Sequence, residues 1–169
     1  MRNQRYFKFL SLALLLLQGM FAGCTPSVVP TLPTTQLATS IEYRNAEYGF
    51  SFSLPASYKG YHIITDIWEG YTFNGQSDVT VEQGPIISIR HPLWTSENPR
   101  QDIPIMVFTL AQWNSLQQGN YSVSAGGMTT ELGRNAKYVF AIYARYNAAD
   151  LPGIEEVKTI LEGDPLHAP

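Results

Sequence analysis

The residues best equipped for chemistry crowd into one stretch, "RHPLWTSENPRQDIP", which carries Arg90, His91, Trp94, Glu97, Arg100 and Asp102. An imidazole beside a carboxylate is the smallest unit of general acid–base catalysis. His91 with Glu97 or Asp102 is therefore the pair that a small envelope hydrolase would use. The same loop also suits recognition, because it sets guanidinium groups, carboxylates and an indole on a connection of about a dozen residues, longer than the roughly 4–6 usual in a compact domain. The structural alternative is that Pro92, Pro99 and Pro104 stiffen a crossover, its charges pair on the surface and Trp94 is pinned to the core. A second group is aromatic: Trp68 and Tyr71, with Phe73, Tyr58 and Tyr61 nearby, either line an apolar groove or pack the core.

Other chemistries find no support. The single cysteine, Cys24, rules out an internal disulfide. His62, His91 and His167 are far apart in sequence, no H-E-x-x-H, calcium loop or phosphate-cradling glycine loop occurs, and neither a metal nor a cofactor is expected. "GQSDV" lacks the second glycine of a nucleophile elbow, and the glycine run at 124–128 reads as a turn. Nothing pairs Glu69, Glu131, Arg134 or His62 into an acid and a base. Lys and Arg number 11 against 14 Asp and Glu, and no basic cluster follows Lys8, so nucleic acid is not an expected partner.

Those candidates must be held by a β-rich body. "EYGFSFSLP" alternates Tyr48, Phe50, Phe52 and Leu54 against Gly49, Ser51 and Ser53, the period of a half-buried strand. "YHIITDIW" predicts another strand, and "YTFNGQSDVTV" two more joined by a two-residue turn at Asn74-Gly75. "PIISIRHP", "IPIMVFTL" and "KYVFAIYARY" are further strands, the last pairing with "TTELGR" through Asn135-Ala136. A short helix is predicted from Leu110 to Gly119, and a terminal one in "IEEVKTIL", with Glu155 and Glu156 early, Lys158 later and Ile154, Val157 and Leu161 on one stripe. The sum is α+β: a mainly antiparallel sheet with a few helices packed on its faces.

The first forty residues are different in kind. Arg2, Arg5 and Lys8 precede an apolar run from Phe9 to Leu17, broken only by Ser11. This is the shape of a signal peptide, too short to span a bilayer. Ala22 and Gly23 then stand directly before Cys24. The sequence resembles the lipobox of bacterial lipoproteins, with Phe21 where leucine is usual. That resemblance implies cleavage of residues 1–23 and a diacylglyceryl thioether on Cys24, and two or more acyl chains make attachment stable. Residues 25–40 hold Pro26, Pro30 and Pro33 among serines and threonines and no charge, a tether. The domain proper is expected at 41–163, with 164–169 a tail. Setting Arg2, Arg5 and Lys8 aside leaves 8 Lys and Arg against 14 Asp and Glu, so the lipid alone would hold the membrane.

The opening "YRNAEYGFSFSLPASYKGY", Tyr43 to Phe50 above all, followed by a β-rich middle and a terminal strand and helix, resembles PsbP-like α/β/α sandwich domains. The resemblance implies architecture and little about chemistry. Together these readings describe a lipid-anchored extracytoplasmic domain at the cell membrane or outer membrane, which binds a protein or small-molecule partner or serves as an accessory. Thr25 after the cysteine permits outer-membrane sorting.

Overall fold

The computed structural model describes residues 40–123, 129–146 and 149–169. Cys24, the leader and almost all of the tether lie outside the described residues, as does the glycine run at 124–128. The chain forms strands β1 (Ile41–Asn45), β2 (Phe50–Leu54), β3 (His62–Phe73), β4 (Asp78–Arg90), β5 (Ile103–Thr109), β6 (Thr129–Arg134), β7 (Tyr138–Tyr143) and β8 (Leu166–His167). Helix α1 (Leu110–Gln117) follows β5, and α2 (Ile154–Glu162) follows β7. All strand pairs are antiparallel. The class is α+β, but the strands divide into two sheets, β1-β2-β8 and β3-β4-β5-β7-β6, where one was expected. The break comes after Leu54, where Pro55, a single 3-10 turn at Ala56–Tyr58 and Gly60 at φ +87° turn the chain out of the first sheet.

The large sheet has two covered faces. On one, Ile87, Ile89, Ile103, Ile105, Val107 and Phe140 meet Tyr43, Phe50, Phe52 and Leu54 of the small sheet and Val157 of α2. On the other, Trp68, Met106, Phe108, Val139 and Ala141 meet Trp113 of α1 and Tyr121. This explains the uninterrupted apolar run of β5: a central strand with cover on both sides needs no polar face. The alternation of β2 is realised as expected, with Phe50, Phe52 and Leu54 buried and the two serines half-buried. Thr109 caps α1 in a reciprocal box, its side chain accepting the Gln112 N–H while the Gln112 side chain accepts the Thr109 N–H.

Three expectations are corrected. The runs at His62–Trp68 and Tyr71–Phe73 are one twelve-residue strand, and "DVTV" and "PIISIR" one strand of thirteen. Their ladder runs from His62 opposite Arg90 to Phe73 opposite Asp78, stepping over a bulge between Gly70 and Tyr71. The turn that joins them sits one residue later than expected. Gly75, at φ +91°, and Gln76 form its centre, while Asn74 donates its N–H to Ser77 O and accepts the Gln76 and Ser77 N–H groups on Oδ1. Asn135 repeats the device at the β6–β7 turn, accepting from Lys137 and Tyr138. A short side-chain acceptor that imitates a carbonyl two residues ahead decides both turns.

The third correction concerns the end of the chain. Residues 164–169 are no tail, since Leu166 and His167 pair with Phe52 and Ser51, and Pro165 O accepts the Ser53 N–H. Leu166 is 5 % exposed, and a Cβ on Gly133 would meet its Cδ2 at 2.8 Å. It completes the apolar row of the small sheet, which Asp164 makes possible by turning at φ +50° after the helix. Leu166→Ala should therefore cost about 2–4 kcal/mol in urea unfolding. A loss below about 0.5 kcal/mol, the scale of a surface change, would show that this segment lies outside the core.

Candidate functional site

The connection from β4 to β5 is closed at its neck by a fork. Arg90 and Asp102 stand one step beyond the last ladder pair of β4 and β5, Ile89 with Ile103. Arg90 Nε lies 3.1 Å from both carboxylate oxygens of Asp102, and Nη2 lies 2.7 Å from Oδ2. Both side chains are only about a fifth exposed. A bidentate, partly desolvated pair is stronger than the surface ion pairs worth about 0–1 kcal/mol. With its N–H edge on Asp102, the guanidinium also lies over Trp94, Cζ 3.9 Å from the ring centroid. One cation thus fixes both the neck of the loop and its indole.

The rest of the loop is tied down in sequence order. His91, 4 % exposed, packs edge-on against Tyr58 with centroids 4.8 Å apart. Its Nδ1 accepts the Leu93 N–H at 3.1 Å, and the Trp94 N–H bonds His91 O. Thr95 and Asn98 exchange backbone hydrogen bonds, and Glu97, held below the usual carboxylate range first by the Ser96 hydroxyl, stays exposed. Gln101 is buried, its N–H bonding Pro152 O and its side chain bonding Asp102 O and Tyr146 O. Arg100 reaches α2, with Nη2 3.6 Å from Glu156. At φ +90° Gly153 leaves room for it, since a Cβ there would stand 3.2 Å from the guanidinium.

The structure accordingly brings Arg90, Trp94 and Asp102 together, and places His91 and Arg100 around Glu156. It does not assemble the expected dyads. Asp102 is engaged by Arg90, Glu97 points to solvent, and the carboxylate facing His91 is Glu156, 4.0 Å from Nε2 and already accepting the Ser57 hydroxyl at 2.6 Å. With Nδ1 occupied by a backbone donor, His91 is sealed rather than poised. Among the described residues no group of three or more His, Cys, Asp or Glu could hold a metal ion, and no helix is long and apolar enough to cross a membrane.

The aromatic groove is likewise corrected. Trp68 is 3 % exposed, stacks on Phe108 at 4.4 Å and donates its indole N–H to Val107 O at 2.9 Å. It is core. Tyr71 is half-buried, donates its hydroxyl to Glu69 and pairs its backbone with Ser122. A groove that the sequence did not suggest lies elsewhere: a cavity of about 500 Å³ between the end of β2 and α2, walled by Leu54, Pro55, Ile160 and Pro165 with Glu156 at its margin. Glu156 is thus shared by groove and loop. In sequence it reads only as an early acidic residue of a helix; its role is visible once α2 is docked.

Comparison of the chain with known protein families, with curated proteins and with solved structures finds no match.

Burial, and next the Arg100 charge, push His91 below its ordinary value of 6.5, with Glu156 opposing. The folded state thus prefers the neutral ring. Its contribution to stability is whole above pH 6.5 and is lost as pH falls from there through the depressed folded value. His91→Asn, which keeps an acceptor for the Leu93 N–H but cannot titrate, should show a smaller fall in Tm between pH 7.5 and pH 5 than the parent chain. Equal falls would mean that His91 contributes nothing to the acid response.

Proposed function

We propose that this chain is a lipid-anchored extracytoplasmic binding domain, of PsbP-like architecture, that recognises a partner at the cell envelope through the loop between β4 and β5. One observation carries the reading: Leu93 is 67 % exposed on a loop whose neck, flank and far end are all fastened. A loop kept only as a connection has no need of a forked ion pair, a buried histidine and a buried glutamine to support an apolar side chain held in water. A rigid leucine beside an indole–guanidinium stack suits the aromatic- and arginine-rich centre of a protein contact, because its conformational cost is met before the partner arrives.

The anchor follows from the lipobox resemblance at Cys24, and it would place the domain at a cell membrane or outer membrane, facing away from the cytoplasm. PsbP-like architecture draws support from the Tyr43 to Phe50 motif, whose two end rings pack edge-on at 5.8 Å across the β1–β2 turn. The motif's asparagine, Asn45, accepts the Tyr48 N–H, and Gly49 takes φ +71°. Each residue that carries the resemblance has a physical task there.

The anchor and the contact are tested separately. Mass spectrometry of the protein from its native membrane should find a chain that begins at Cys24 and carries diacylglyceryl and acyl mass; a free thiol, or a chain still starting at Met1, would refute the anchor. A photoreactive amino acid placed at Leu93 should give one discrete adduct in cells, at least about tenfold stronger than the same probe at Lys137. Comparable or absent adducts at the two positions would remove the loop as the contact.

A further inference from the structure

The large sheet ends in two unlike edges. On β6 the edge is short, bulged between Glu131 and Gly133, and carries the Glu131–Arg134 ion pair. These are the devices that keep an edge from adding another strand. On β3 the ladder is regular from His62 to Gly70, the edge holds no lysine or proline, and Ile63, Ile64 and Ile67 are exposed on it beside the Asp66 and Glu69 carboxylates.

Its backbone shows where a strand could add. Tyr71 turns its N–H and C=O away from β4, for both bond Ser122 at 2.8 and 3.0 Å. By alternation Glu69, Ile67, Thr65 and Ile63 face the same way. The Ile67 N–H is already taken by the Asp66 carboxylate at 2.8 Å. Ile63, Thr65 and Glu69 are left open among the described residues, and only Ile63 and Thr65 are consecutive outward positions with no occupied group between them.

We propose that β3 pairs with β3 of a second copy, antiparallel about a two-fold axis at Ile64. In that register Ile63 of each copy faces Thr65 of the other, and the four free N–H and four C=O groups at these positions form four hydrogen bonds, one C=O lone pair to each N–H. His62 of each copy faces Asp66 of the other, two opposite-charge pairs when the imidazole is protonated, on the face where the two Ile64 side chains meet. Asp66 keeps one oxygen on Ile67 and offers its second. The neighbouring register, centred on Thr65, would require the occupied Ile67 N–H and set Ile64 against the Asp66 carboxylate. Charge, free backbone groups and apolar contact all select the first.

The test uses the full-length chain with Cys24→Ser, which removes the only native cysteine. Under mild oxidation Ile64→Cys should form a covalent dimer, since side chains of a non-hydrogen-bonded pair approach most closely, whereas Thr65→Cys and the distant Leu93→Cys should give at least about fivefold less. In the Ile64→Cys background, His62→Asp should lower the yield about threefold or more through like charges set opposite each other, and His62→Asp with Asp66→His should restore it. No dimer from Ile64→Cys, equal yields from all three positions, a maximum at Thr65→Cys, or a yield indifferent to the charge changes would each overturn the pairing. A covalent adduct to a different protein in place of the dimer would overturn it as well, and would show that the edge takes a foreign strand.

Discussion

Much of this architecture depends on one absent hydrogen-bond donor. In the register of β4 on β5, Pro85 falls opposite Val107, one step past the last ladder pair, Ile86 with Met106. Proline has no N–H to give. The Val107 carbonyl is satisfied instead by the Trp68 indole, and Gly84 makes this possible, because a Cβ there would stand 2.6 Å from the Trp68 ring. Beyond this point β4 leaves β5 and continues with β3 alone to the turn at Gly75-Gln76. Past Pro85 the five-stranded sheet therefore narrows to the two-stranded ribbon of β3 and β4. The side chain that seals the divergence is lost to recognition, because its indole is committed to a buried carbonyl that would otherwise lack a partner.

The loop at the opposite end follows the same logic with charges. Arg90 answers Asp102 across the neck and Trp94 above it, so neither the cation nor the carboxylate is free for a substrate. His91 is the one group on the loop with the right intrinsic acidity for proton transfer near neutrality. Burial stabilises its neutral form, Arg100 does the same, and the Leu93 N–H occupies the nitrogen that a base would use. The arrangement favours rigidity. Nearby Tyr58 is pushed upward by burial and then by the Glu156 charge, so it too stays neutral. What the loop presents is shape: one exposed leucine and the edge of a stacked indole.

Sequence reasoning read well what is local. The alternation in β2, the continuous apolar run of β5, the stop of α1 at Gly119 and the stripe on α2 each follow from a period or a stop signal within a few residues. It succeeded less where the deciding partner is remote. Residue type alone groups Trp68 and Tyr71, as a groove or as core, whereas Trp68 packs in the core with Tyr121 and Tyr71, bonded to Glu69, lies on the other face of the strand. For His91 the candidates were carboxylates within the loop, whereas its neighbour is Glu156 on the last helix. Residues 164–169 read as a tail, and Leu166 enters a strand only because β2 offers an edge and Gly133 a gap. The Pro85 divergence was legible in principle, since a proline inside a strand marks where pairing on one side must stop. The tryptophan that completes it was not.

The two surfaces argued for are neighbours, and that adjacency has a mechanical consequence. His62, near one end of the proposed β3 contact, lies opposite Arg90, the cation that closes the loop. In a continuous sheet built about an axis at Ile64, the two forks sit on the same face. Three strand spacings across and four residues along separate them, about 20 Å by the usual dimensions of a sheet. A paired domain would then offer two rigid loops side by side. A partner with two matching sites would gain the effective concentration of a short tether without any new contact on either loop. The proposed anchor would favour the pair further, because a lipid on each chain would confine both copies to one surface and raise their effective concentration.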